Sequence, residues 1–201
     1  ILDAVWAVSS RSGLTKICGR EIFACEADQD EILRMSGDAL YEEALAGKQT
    51  FAVAVKRVQR SAPWISANRL KKSIGSVISE RSGGAKVSLE APSKVFLGVI
   101  TDQSFIFGLE LAEASYHSFK ERKLKNRPFF HPSALHPKLA RCMVNLARAA
   151  PGSLVLDPFC GTGSILIEAG LIGCRVLGAD VRRLMVNGSL MNLRRFNIKP
   201  L

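Results

Sequence analysis

The stretch from Leu154 to Gly163 constrains this chain more than any other. An apolar run, Leu154-Val155-Leu156, ends in Asp157. A short turn follows with glycine at 161 and 163, and an apolar helical pattern starts at Ser164. Strand, glycine turn and helix in that order build a ligand crevice at the carboxyl end of a parallel strand. Further on, Arg175–Ala179 reads as a second parallel strand ending in Asp180, and Val181–Phe196 as another helix. With the helical pattern of Pro137–Ala149 in front, this is half of a doubly wound α/β sheet.

Three ligand classes compete for such a turn. A P-loop requires Lys and then Ser or Thr after its last glycine, but Gly163 is followed by Ser164 and Ile165. A dinucleotide fingerprint requires a third glycine three residues after the second, and that position is Leu166. What remains is Asp-x-x-x-Gly-x-Gly, which suits S-adenosylmethionine. Asp157 can sit near the cofactor's ammonium. The glycines let backbone approach without a Cβ, and Asp180 can accept from both ribose hydroxyls.

The remainder of the chain reads as a smaller α+β unit. Ile1–Ser9 alternates weakly and suggests a strand, while 11–29 has no clear pattern. Gln29–Ala46 looks helical, interrupted at Gly37. Phe51–Val58 alternates as a strand. Ser66–Ser79 is an amphipathic helix with Leu70, Ile74, Val77 and Ile78 on one face and Ser66 as its cap. Lys86–Glu90, Val95–Thr101 and Phe105–Leu111 read as strands, the last two joined through Asp102-Gln103-Ser104.

Charge separates these regions. Of 201 residues, 28 are Lys or Arg and 18 are Asp or Glu, for a net +10. Residues 1–50 carry −4, 51–127 carry +8 and 128–201 carry +6. A basic body of this kind suits a polyanion such as nucleic acid. Lys56, Arg57, Arg69, Lys71, Lys72, Lys125 and Arg127 are the candidate contacts to such a polyanion, the last two from the basic run before Pro128. Five cysteines without a C-x-x-C pair and three scattered histidines offer no metal site. They suit a reducing, cytoplasmic setting. No apolar run is long enough to span a bilayer, so no membrane partner is expected.

Leu154–Gly170 resembles motif I of the THUMP-domain RNA guanine-N2 methyltransferases. Arg127–Ser133 and Leu135–Arg141 are similar to the segment preceding motif I in the archaeal tRNA guanosine-10 enzymes and their eukaryotic relatives. Phe51–Arg57, the 66–79 helix and Val87–Leu111 resemble a THUMP domain. The resemblance extends over nearly the whole chain from about Gly13.

It implies an N-terminal α+β THUMP/ferredoxin-like region followed by an α/β Rossmann-like methyltransferase domain, incomplete at its end. The implied boundaries are a ferredoxin-like remnant over 1–50, THUMP over 51–115, a basic linker over 116–130 and the methyltransferase part over 131–201. In this family the first region holds tRNA, with THUMP at the acceptor end, and the second methylates the exocyclic amine of a guanosine, here position 10. The implied cofactor is S-adenosylmethionine, surrounded by Asp157, Pro158, Phe159, Cys160, Gly161, Thr162, Gly163 and Asp180. His136, in the 130–137 segment, would help hold its methionine end. A small methyltransferase-activating protein is an implied partner besides tRNA. Another tRNA or rRNA guanosine, or a non-catalytic RNA-binding module, would share these motifs.

The family's later Asp-Pro-Pro-Tyr-type motif is absent, since the only Asp-Pro is Asp157-Pro158. That motif gives the weakly nucleophilic guanine amine its acceptors and its stacking ring. The chain therefore contains no candidate catalytic residue. It is expected to be a truncated and, by itself, inactive piece of the enzyme.

Overall fold

A computed structural model describes residues 2–45, 49–113 and 116–201. Ile1 and Ala46, which the sequence assigned to a strand and a helix, lie outside the described residues. The chain divides into two compact units, one formed by 17–112 and the other by 1–16 with 113–201.

The chain opens on a helix, α1 (Leu2–Arg11), where weak alternation had suggested a strand. The alternation had no buried face to enforce it, as no residue of α1 is buried. Ala4 and Ala7 favour helix, while Asp3 in the first turn and Arg11 in the last complement the helix dipole.

The 17–112 unit contains β1 (Ile17–Glu26), α2 (Gln29–Asp38), β2 (Phe51–Arg57), α3 (Ala67–Arg81), β3 (Lys94–Ile100) and β4 (Ser104–Glu113). Its strands form one sheet in the order β1-β4-β3-β2. β2 and β3 run parallel through the α3 crossover, with Phe51 opposite Lys94 and Arg57 opposite Ile100. β3 and β4 form an antiparallel hairpin. Alternate residues of each strand face α2 and α3. Phe23, Phe51, Val53, Phe96, Ile100, Phe105 and Phe107 meet Ile32, Leu70, Ile74 and Ile78 in one core. The Phe96 and Phe107 rings stack with centroids 5.9 Å apart, and Tyr41 meets Phe96 edge-on at 5.7 Å.

The expected Ser66 cap holds, accepting from the Arg69 N–H at 3.4 Å; Asp28, which the sequence reading did not single out, caps α2 by accepting from the N–H groups of Asp30 and Glu31. Three other readings change. The 11–29 stretch contains β1 and the start of α2. The 29–46 helix stops at Asp38, with Ala39 in extended backbone. The expected 86–90 strand is a single bridge, Val87 beside Phe51. Val87 and Leu89 are exposed there, so no second ladder of apolar contacts extends the pairing.

The second unit continues with α4 (Tyr116–Glu121), a 3-10 turn over Leu124–Asn126, α5 (Pro137–Leu146), β5 (Leu154–Asp157), α6 (Ser164–Leu171), β6 (Arg175–Gly178) and α7 (Arg183–Arg195). β5 and β6 pair in parallel, Leu154 opposite Arg175 and Asp157 opposite Gly178. Leu166, Ile167, Ala169, Val176, Val144 and Leu193 build its core. α1 is tied to α5 by a reciprocal pair: Arg11 donates to Asn145 Oδ1 at 3.3 Å, and Asn145 donates to the Arg11 carbonyl at 3.0 Å. Among the described residues, no helix is long and apolar enough to cross a membrane.

Candidate cofactor site and basic groove

The turn after β5 is built from backbone. Asp157 Oδ1 accepts from the Phe159 N–H at 3.1 Å, which folds the chain back immediately after the strand. Cys160 N–H then donates to the Ala179 carbonyl at 2.8 Å, and Ala179 N–H donates to the Asp157 carbonyl at 2.9 Å. These two bonds place the tips of β5 and β6 side by side. Asp180 closes the arrangement: its two oxygens accept from Gly161 N–H at 3.0 Å and Arg182 N–H at 2.9 Å. Those amides, the Arg182 one foremost, hold the Asp180 carboxyl below its ordinary pKa, so it is an anion at neutral pH. Each oxygen has used one lone pair and keeps another for a ribose hydroxyl.

The two glycines serve different ends. Gly163 has φ of 80° and caps α6, and a Cβ there would collide with the Ser189 hydroxyl. Its lack of a side chain is required by packing against α7. Gly161 has φ of 49°, and nothing within 4 Å surrounds the position of a would-be Cβ. This open cradle, beside an ionised Asp180, fits a ligand backed by main chain. The turn opens to solvent, with Phe159 86 % and Val181 99 % exposed beside it. Thr162 and Cys160 point inward and are buried. Burial pushes the Cys160 thiol up, with Asp157 and Asp180 adding to the shift. Pro158 is exposed beside Phe159. His136 is exposed and caps α5, its Nδ1 accepting from Lys138 N–H at 3.3 Å.

Behind the turn lies polar structure that the sequence did not reveal. Glu168, on α6, is fully buried and bridges two arginines. Arg122 Nε lies 2.7 Å from one of its oxygens, and Arg141 Nη2 lies 2.8 Å from the other. Arg127 is also buried, donating to the Arg122 carbonyl at 3.1 Å and to Ser164 Oγ at 2.7 Å. Burial pulls the pKa of Arg127 and of Arg141 down from the ordinary guanidinium value, and Glu168 pulls both back up. The basic linker is thus partly an inward-facing clamp on α6. The one sequence sign was Glu168 itself, an acid in the otherwise apolar run Ser164–Leu171.

Asn192 is the other buried polar group. It is fully enclosed on α7, accepting from Phe129 N–H at 2.9 Å and donating to the carbonyls of Phe129 and Thr162, each at 3.0 Å. An Asn in the middle of a helix carries no sequence signal of such a role.

The candidate RNA residues divide. Arg127 is inside, and Arg57 spends its guanidinium on the carbonyls of Ser61, Ala62 and Ile65. Neither presents a free cationic surface to phosphate. Lys56, Arg69, Lys72 and Lys125 are exposed, and Lys71 is half-buried. Lys71 and Lys72 line a cavity of about 600 Å³ in the 17–112 unit, with Asn68, Ser76, Val87 and Leu89. Among the described residues, no cluster of three metal-ligating side chains occurs.

The parallel strand pair, with its glycine turn and an acid at the second strand's tip, is of the Rossmann-like class. Residues 125–199 match the RMKL-like methyltransferase domain family, and 26–110 match the THUMP domain. The chain therefore carries a THUMP domain followed by an RMKL-like methyltransferase domain. It is 43 % identical over 151 residues to the tRNA (guanine(10)-N2)-dimethyltransferase of Methanothermobacter thermautotrophicus, covering 75 % of this chain and 44 % of that one. It is 38 % identical over 172 residues to the tRNA (guanine(10)-N2)-dimethyltransferase of Pyrococcus abyssi, covering 86 % of this chain and 50 % of that one. The fold matches TrmN from Thermus thermophilus with a TM-score of 0.58 at 21 % identity, over 94 % of this chain and 57 % of that one. The chain spans about half the length of these curated relatives.

Proposed function

We propose that this chain is part of a tRNA (guanine-N2)-methyltransferase that uses S-adenosylmethionine and acts at guanosine 10. The observation that carries the reading is the crevice at the β5 and β6 tips. There an ionised Asp180 faces an open glycine cradle, in one chain with a THUMP domain bearing a lysine-lined groove. Bound in the crevice, S-adenosylmethionine would supply an electrophilic methyl group. Asp180 would hold its ribose, Gly161 would let main chain approach it, and Asp157 would lie near its ammonium. The identity to two guanosine-10 enzymes favours that position, and because both are dimethyltransferases, two methyl transfers to one amine are the expected outcome. The groove at Lys71 and Lys72 suits a phosphate backbone, its lysines acting as point charges and its apolar floor accepting a base face. The partners follow from this reading: tRNA, and a small methyltransferase-activating protein in a cytoplasmic setting.

The test is methyl transfer by the full-length gene product to an unmodified tRNA transcript, mapped by nucleoside mass spectrometry. N2-methylated guanosine at position 10 is the expected product. Methylation at another guanosine with position 10 untouched would overturn the site assignment. Asp180→Ala should weaken S-adenosylmethionine binding by calorimetry by about tenfold or more, the worth of hydrogen bonds to a charged group.

A further inference from the structure

α7 presents Ser189 and Asn192 to the cofactor turn and Gly188 to the Phe129 ring. A Cβ at Gly188 would collide with the Phe129 ring, and Ser189 occupies the space beside Gly163. Asn192 sits at the centre and is bonded on both sides. One of its partners is an N–H donor and two are carbonyl acceptors. That demand selects an amide. A carboxylate would set oxygens against two carbonyls, and an apolar side chain would leave three main-chain groups unpaired in the interior. Glutamine would place its amide one carbon further out.

We propose that Asn192 is a positioning residue for the cofactor crevice. It joins the Phe129 segment to the glycine turn, so that the turn is held in one arrangement before the ligand arrives. The Thr162 carbonyl lies between Gly161, whose N–H meets Asp180, and Gly163, whose N–H meets the Cys160 carbonyl at 2.7 Å. Anchoring that carbonyl sets the orientation of the peptide planes on either side. The Phe129 main chain, pinned by both its N–H and its carbonyl, aligns the stretch leading to α5. The role rests on the reading of this turn as an S-adenosylmethionine site, but the clamp can be measured without the cofactor.

Hydrogen exchange on the ligand-free full-length protein reads the clamp directly. In Asn192→Ala, the amides of Phe129, Gly161 and Gly163 should exchange at least tenfold faster, with the β5–β6 ladder amides changed less than twofold. Asn192→Asp is the second variant, used also if the first does not fold. It keeps an acceptor for Phe129 N–H, so Phe129 stays protected while Gly161 and Gly163 are released. Leu193→Ala, which removes a neighbouring core side chain, is the control for general loosening of α7 and should raise exchange without singling out these three amides. Calorimetry with S-adenosylmethionine should then show at least tenfold weaker binding in both Asn192 variants and less than twofold change in Leu193→Ala at a temperature where it is folded. Exchange that rises equally across the ladder, or affinity unchanged in the Asn192 variants, would overturn the positioning role. A wild-type protein that binds no S-adenosylmethionine would instead overturn the cofactor reading, leaving the exchange pattern to judge the clamp.

Discussion

The two units bury their interiors by different means. In the 17–112 unit the core is apolar and aromatic: Phe23, Phe51, Phe96, Phe105 and Phe107 against Ile32, Leu70, Ile74 and Ile78. Its buried side chains touch many neighbours, and no single contact is indispensable. The other unit has an apolar core too, around Leu166, Ile167 and Val176, but it sets charged and amide groups against α6 and α7. There each group has one or two partners, and removing one strands the others. Apolar burial tolerates substitution because it depends on area and volume. Polar burial tolerates little, because an orphaned charge or amide keeps its full cost of leaving water.

The largest expected effect is on the charged interior. Glu168→Ala should lower unfolding free energy by about 3–5 kcal/mol, because Arg122 and Arg141 remain buried without their counter-ion. Urea denaturation measures it, and a loss below about 1 kcal/mol would break the contrast between the units. Next comes Gly163→Ala. The left-handed backbone at φ 80° costs an alanine about 1–2 kcal/mol, and the collision with Ser189 adds to it. Thermal denaturation should show the loss, and cofactor affinity should fall with it.

The apolar unit should yield less. Ile74→Val, in the middle of the α3 face, is expected to cost about 0.5–1.5 kcal/mol. A cost as large as that of Glu168→Ala would mean that the aromatic core is as exacting as the charged one. The smallest effect is one of pH. Because the folded Asp180 has its pKa depressed below 3.8, its stabilisation of the turn is fully present above that value. It is lost only as pH falls through the lower, folded value. The Gly161 amide resonance should therefore stay constant from neutral pH down to about pH 4.5 and move only in stronger acid. Movement centred at pH 3.8 or above would mean that Asp180 is not held by the two amides.

The same contrast explains what could be read in advance. α3 was legible because Leu70, Ile74 and Ile78 recur at helical spacing, and β2, β3 and β4 because their large residues alternate. α1 was misread because it buries nothing, so its periodicity records no constraint. Lys86–Glu90 has the composition of a strand, but pairing beyond one bridge depends on a neighbour that composition does not supply. Arg57 and Arg127 were counted with the surface cations because sequence shows charge but not direction. The first instead ties the loop after β2, and the second holds the start of α6.

The strand, glycine turn and helix from Leu154, with Asp180 after the next strand, were legible in the sequence alone. Their geometry follows from residues within one strand, one turn and the next strand, where φ, N–H direction and glycine placement are local matters. Which glycine faces open space, which arginines lie inside, and that Asn192 ties Phe129 to Thr162 were decided only by tertiary structure. Asn192 and Phe129 are 63 positions apart, and Arg122 and Glu168 are 46 apart. Pairings over such separations depend on how the helices pack, and no local pattern of residue types encodes them.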